Sequence, residues 1–161
     1  MDLLLNNAGV GGPGRQAIGN IDYDAWAHVL DVNTLGPLRV SEAFVDNVAS
    51  SDRKLIVTLT SGMGSIDDNT SGGAFAYRSS KAVVSWHAAS PSISPRAASP
   101  ASCSIRVQTD MGGPHGNQTP EESIAKMRRL IDSFGQKRFR QVPQSRRPRI
   151  CVVGLSKLSA P

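Results

Sequence analysis

Apolar and polar positions follow different rhythms along this chain, and each rhythm marks an element. Leu3, Leu4 and Leu5 form a short apolar run that breaks at Asn6-Asn7-Ala8-Gly9. A run of this kind, closed by turn residues, reads as a buried strand entering a Gly-rich loop. Between residues 22 and 48 the rhythm changes. Trp26, Val29, Leu30, Asn33, Pro37, Val40, Phe44 and Val48 fall on one helical face, which predicts a single long helix capped by Asp22 or Asp24. Gly36-Pro37 should kink it, because proline lacks an amide donor and crowds the preceding turn. Lys54-Leu55-Ile56-Val57-Thr58-Leu59 is β-rich and uninterrupted, as in a parallel strand covered on both faces. It runs into Thr60-Ser61-Gly62-Met63-Gly64-Ser65 and a polar loop, and a second helix begins near Ala74. Thr119-Pro120-Glu121-Glu122 starts a further helix, with Thr as cap, Pro at the first position and Glu at the third. Ile124, Met127, Ile131 and Phe134 form its apolar face and Gly135 can end it. Strand, helix, strand, helix is an α/β order.

Two stretches break these rhythms. Residues 85–104 hold seven Ser and three Pro, a spacing that leaves no helix of useful length, and pattern returns only near Val107. Residues 136–161 are basic, contain Pro and show no periodicity, so a disordered tail is expected there. Charge sharpens the division. Residues 1–132 carry 11 Lys/Arg and 13 Asp/Glu, whereas residues 133–161 carry 7 Lys/Arg and no acid. The net +5 therefore comes from the tail. Nucleic-acid binding is not expected of it, since only Phe139 interrupts its basic residues and no recognition fold is visible. Cys103 and Cys151 have no clustered partners, so neither a metal site nor a disulfide scaffold is expected. No secretory signal or membrane-spanning run is present in the sequence, which makes a cytoplasmic location the expectation.

The candidate chemistry centres on Tyr77 and Lys81. Residues four apart share a helical face. An ammonium beside a phenol favours the phenolate and is expected to lower the tyrosine pKa toward working pH, which suits proton exchange with a carbonyl or alcohol oxygen. Ser61 lies at the carboxyl end of the second strand, where open α/β sheets bind ligands, and could hold the same oxygen. Asn33, polar on an apolar face, could order a water linking Lys81 to solvent. Taken singly, each has a plainer reading: a surface helix pair, a turn serine, a core amide.

Their combination and order resemble the short-chain dehydrogenase/reductase family, in particular its C-factor and carbonyl-reductase-like subgroup. The motifs that carry the resemblance are Asn6-Asn7-Ala8-Gly9, Asn33, Thr60-Ser61 and Tyr77-Arg78-Ser79-Ser80-Lys81. Leu35-Gly36-Pro37-Leu38, Gly72-Gly73-Ala74-Phe75-Ala76 and Thr109-Asp110-Met111-Gly112-Gly113-Pro114 add to them. The resemblance implies a partial Rossmann-type, doubly wound parallel sheet lacking its first strands. It implies hydride transfer between NAD or NADP and a small carbonyl or alcohol. Tyr77 would be the acid/base, Lys81 would tune it and hold the nicotinamide ribose, Ser61 would orient substrate, and Asn33 would support a relay water. Asn7, Ala8, Gly9 and Thr109 would line the cofactor, together with Tyr77 and Lys81. A homo-oligomer without membrane attachment is a further implication, and a non-catalytic signalling or interaction protein is the alternative.

The sequence also departs from that family. Its opening strand and Gly-rich phosphate loop are not recognisable, so impaired catalysis is expected of this chain. Gly9-Val10-Gly11-Gly12-Pro13-Gly14 has the GxGxxG spacing, but the helix that should open in the loop begins only near Asp22. Residues 85–106 match nothing between two matching flanks, a pattern that compensating frameshifts produce. The expected organisation is a partial dehydrogenase domain over residues 1–135, containing that anomalous segment, and then the tail at 136–161.

Overall fold

The computed structural model of the chain describes residues 1–14, 16–89, 98–103 and 118–136. Strand β1 (Leu3–Asn6) leads through a loop to helix α1 (Tyr23–Leu30). Five residues of π-helix, Asp31–Leu35, join α1 to α2 (Gly36–Ala49) without a break. Beyond them come strand β2 (Leu55–Leu59), a 3₁₀ turn (Gly62–Gly64), α3 (Phe75–Ala89), β3 (Ala98–Cys103) and α4 (Pro120–Gln136). The sheet is parallel, in the order β1-β2-β3.

β2 occupies the centre of the sheet, and all five of its residues are buried. Leu55, Val57 and Leu59 pack with Met127 and Ile131 of α4, and each buried side chain of this size contributes roughly 1.5–3 kcal/mol relative to exposure. Arg53 bonds the Ile131 carbonyl at 3.0 Å and so ties α4 to the entry of β2. The α4 start is the capping box that its sequence predicts. The Thr119 amide donates to Glu122 Oε2 at 3.1 Å, and the Glu122 amide donates to Thr119 Oγ1 at 3.3 Å. The apolar face of α4 departs from expectation at Ile124, which is exposed while Ser123 turns inward.

The long helix forms over the expected span, but Gly36-Pro37 widens it instead of kinking it. The Gly36 amide bonds the carbonyl of Asp31, five residues back, and Pro37 has no amide to give to Asn33, four residues back. The π turn adds a residue and rotates α2 relative to α1. Val40 and Phe44, expected inside, are exposed; Pro37 and Val48 are buried as expected, and Ser41 is buried beside them where the pattern placed no inward residue.

The Ser/Pro-rich stretch requires the largest correction. α3 persists to Ala89, and Ala98–Cys103 pairs with β2 as a third strand where the sequence showed none. Leu55 aligns with Ala98 and Val57 with Ala101, so β3 carries one extra residue in this interval. Pro100 lies inside that bulge, where a missing ladder donor is tolerated. No helix among the described residues is long and apolar enough to cross a membrane.

Candidate active site

The carboxyl ends of β1 and β2 lie side by side, because the strands run parallel with Asn6 aligned to Thr58. Asn6 is buried at this edge. Its amide donates to Ser41 Oγ at 3.0 Å and to Thr58 Oγ1 at 3.2 Å, which joins β1, α2 and β2 at one point. Asn7 and Ala8 lead from it into solvent, and Gly9 turns back beneath α3. A Cβ on Gly9 would sit 3.3 Å from Asn33 Oδ1 and 3.5 Å from Lys81 Nζ. The loop backbone therefore passes close to both side chains, and a larger residue at position 9 would require the Asn33 amide to give by a few tenths of an ångström.

Past β2, Ser61 is extended and caps the 3₁₀ turn, accepting from the Met63 amide at 3.2 Å. Its side chain is also close enough to Tyr77 to favour the phenolate. Lys81 is buried, donates to the Leu59 carbonyl at 3.2 Å and places Nζ 5.7 Å from the centroid of the Tyr77 ring. Gly64 makes this proximity possible: a Cβ there would come within 2.6 Å of the Lys81 carbonyl carbon and 2.9 Å of the Ala82 nitrogen. The turn carrying Ser61 thus lies directly on the α3 backbone. Three elements converge on one edge, and Ser61, Tyr77 and Lys81 come together as the sequence predicts.

Asn33 joins the cluster through its side-chain amide. Its Oδ1 accepts from the Val10 amide at 2.8 Å, and its Nδ2 donates to the Val10 carbonyl at 2.9 Å and to Ser80 Oγ at 3.0 Å. Ser80 in turn donates to the Tyr77 carbonyl at 2.8 Å. The side-chain amide is fully used in locking the loop after β1 to the middle of α3. At 1% exposure it is reached by no bulk water.

The electrostatics also correct an expectation. Tyr77 is pushed above its usual 10.0, chiefly because burial disfavours the phenolate, and the nearby Ser61 side chain works against that rise. Lys81 does not reverse it. Burial lowers the lysine from 10.5 to about 8, so its own charge is weakly held.

Asn7, Ala8 and Gly9 lie at the expected edge, while Thr109 lies outside the described residues. Sequence reasoning passes over four contributors: Asn6, Gly64, Ser80 and Gln16. Gln16 is buried and accepts from the Ala76 amide at 3.2 Å, which anchors the start of α3 beside Tyr77. Asn6, Gly64 and Ser80 stand inside motifs that the sequence displays but have no role assigned by it, and Gln16 has no visible signal; what they do depends on contacts between distant segments.

The described residues divide in their fitness for a dinucleotide. The buried lysine and the phenol beside it are chemically suited to a ribose next to a nicotinamide. Among the described residues no Gly-rich turn joins a strand directly to a helix start, the element that would hold a pyrophosphate.

Several known proteins are similar to this chain. A model of the short chain dehydrogenase family matches residues 1–90. The chain is 39% identical over 137 residues to the C-signal of Myxococcus xanthus, covering 83% of this chain and 82% of that protein. It is 34% identical over 141 residues to 1-hydroxy-2-glutathionyl-2-methyl-3-butene dehydrogenase of Rhodococcus sp. (strain AD45), covering 83% of this chain but 61% of that one. Among solved structures it resembles an NADPH-bound carbonyl reductase from chicken fatty liver, with 28% identity and a TM-score of 0.69. That likeness covers 81% of this chain and 57% of the reductase.

Proposed function

The chain belongs to the short-chain dehydrogenase family, and we propose that it carries the acid/base half of an NAD(P)-dependent oxidoreductase acting on a small carbonyl or alcohol. The observation that supports this reading most is the buried Lys81 amine 5.7 Å from the centre of the Tyr77 ring, with Ser61 close enough to favour the phenolate. A lone phenol in a helix has no such surroundings. A pKa above 10 keeps Tyr77 protonated at neutral pH, the form needed to donate to a carbonyl oxygen during reduction. Ser61 donates a second hydrogen bond to that oxygen and stabilises the charge that develops there. Lys81, anchored by the Leu59 carbonyl, has remaining donors for a ribose hydroxyl and stands ready to return a proton toward Tyr77. When bound, a reduced nicotinamide supplies the hydride. Lys81, Tyr77, Asn7, Ala8, Gly9 and Thr109 would hold its ribose and base sides; NAD and NADP are both compatible with them.

Catalysis by these 161 residues alone should be feeble, since the described residues offer the pyrophosphate no cradle. Homo-oligomer formation through the exposed apolar Leu35, Val40 and Phe44 of the long helix also belongs to this reading. The experiment is NADPH oxidation against a panel of small aldehydes and ketones, with nucleotide binding measured by calorimetry. We expect binding weaker than micromolar, and any measurable turnover should vanish in Tyr77→Phe. Turnover that survives Tyr77→Phe would overturn the assignment.

A second reading draws on the 39% identity to the C-signal, a relative of which this chain covers most. On this reading the fold presents a surface for signalling and the Tyr77 chemistry is idle. Tyr77→Phe separates the two: it removes reductase activity but leaves a surface-mediated response intact.

A further inference from the structure

Arg78 is the next residue after the proposed acid/base, yet it has no part in the proton-transfer cluster. Its guanidinium does not reach toward substrate. Nη2 donates to Ser71 Oγ at 2.8 Å, and Nη1 approaches the Met63 carbonyl at 3.4 Å. Nε is buried without an acceptor, so the whole hold rests on the two terminal nitrogens. Both acceptors belong to the segment between Ser61 and α3. Met63 is the middle of the 3₁₀ turn, and its amide is the donor that Ser61 Oγ accepts at 3.2 Å. Ser71 opens the final approach to α3, just before three successive residues with positive φ, Gly72, Gly73 and Ala74.

The 3₁₀ turn also packs on the α3 backbone at Gly64. In the loop beyond it the Asp68 amide bonds Ser65 and the Gly72 amide bonds Asn69, both local contacts that fix no position relative to α3. Ile66 is 85% exposed, so apolar packing does not hold the loop at that point. The Ser61 hydroxyl must nevertheless stay close to a phenol on another element. A planar, two-pronged cation rooted one residue from that phenol is well suited to carry the constraint.

We propose that Arg78 is a positioning residue: by tying the Met63 carbonyl and Ser71 to α3, it holds the turn that aims Ser61 at Tyr77. The proposal rests on the acid/base reading for its purpose, but its test requires no turnover, so the two can fail separately. The chain contains two tyrosines, and Tyr23→Phe leaves Tyr77 as the sole phenol. Its ionisation is then read from tyrosinate absorbance within milliseconds of a pH jump, before the chain unfolds. Ser61→Ala removes the hydroxyl that favours the phenolate and should raise the midpoint. Arg78→Ala should raise it in the same direction, and the double variant should go no further than Ser61→Ala alone, because Arg78 acts through Ser61.

Arg78→Lys keeps the charge but loses the fork and is expected to shift the midpoint part of the way. Ser71→Ala, at an exposed loop position that does not threaten folding, should give a smaller rise. Hydrogen exchange at the Met63 and Gly64 amides should quicken by about tenfold in Arg78→Lys, while β2 is unchanged. Shifts from Ser61→Ala and Arg78→Ala that add in full would show a direct charge effect and overturn the proposal. So would an Arg78→Lys variant indistinguishable from the parent in both measurements.

Discussion

Replacing Gly64 by alanine tests the proximity on which the candidate site depends. The added Cβ would lie 2.6 Å from the Lys81 carbonyl carbon, 2.7 Å from its oxygen and 2.9 Å from the Ala82 nitrogen. All three atoms are backbone in the middle of α3, so no rotamer change relieves the clash. The 3₁₀ turn and α3 must instead separate by a sizeable fraction of an ångström, enough to bring these contacts near ordinary van der Waals distance. Overpacking of this kind costs about 1–3 kcal/mol. At about 2–4 °C per kcal/mol for a chain of this length, a 2 kcal/mol loss lowers Tm by roughly 4–8 °C. The separation also carries Ser61 away from Tyr77, so the tyrosine should ionise at still higher pH than in the parent. Urea unfolding monitored by circular dichroism gives the first quantity, and tyrosinate absorbance in a Tyr23→Phe background gives the second. A Gly64→Ala chain that unfolds within about 0.5 kcal/mol of the parent, with Tyr77 unmoved, would refute the close approach of turn and helix.

The same geometry implies three further outcomes. Lys81 ionises at about 8 when folded and near 10.5 when unfolded, so the unfolded chain binds more protons between these values. Stability should rise through that window by at most about 3 kcal/mol, then fall above 10 as the raised Tyr77 opposes it, and urea midpoints for Lys81→Met should lack the rise. Asn33→Ala strands the Val10 amide and carbonyl and should cost about 2–4 kcal/mol in urea unfolding, whereas a loss below about 1 kcal/mol would show that the lock carries little. Ala74 has a φ of 49°, which penalises a Cβ, so Ala74→Gly should raise stability by about 0.5–1 kcal/mol; a loss would place its value in packing.

The features legible in the sequence are local in origin. The α4 start is legible because a capping box depends on four consecutive residues and nothing else. Tyr77 and Lys81 are legible because helical spacing alone puts them on one face, and Ser61 because a strand ending in Thr-Ser-Gly has one chemically useful edge. β3 is not legible. Its residues, Ala-Ser-Pro-Ala-Ser-Cys, have neither apolar alternation nor β-branching, and their pairing comes from the open edge of β2. The exposure of Val40 and Phe44 escapes the sequence for a related reason. A periodicity argument assumes a constant turn, and the π turn at Asp31–Leu35 changes the phase of the helix after it, so Val40 and Phe44 face out and Ser41 faces in although Pro37 and Val48 stay buried. The sign of the Tyr77 shift is hidden because sequence shows the neighbouring charge but not the depth at which both groups lie.

Asn33 and Pro37 look like two unrelated faults in an amphipathic helix, and their separation by four residues makes them one device. In an α-helix the carbonyl of Asn33 would accept from the amide of residue 37, and proline has none. The helix answers by widening, and the π turn carries Asn33 and Thr34 inward together. The Asn33 amide then reaches the Val10 backbone and Ser80, and the Thr34 hydroxyl reaches the Ser80 carbonyl at 3.1 Å. Both contacts grip α3 one residue before Lys81. The side chain of Asn33 is committed to this grip through three hydrogen bonds. A proline that interrupts the helix ladder thereby connects the loop after β1, the long helix and the Tyr77 helix, which sets Lys81 at its depth beneath the phenol.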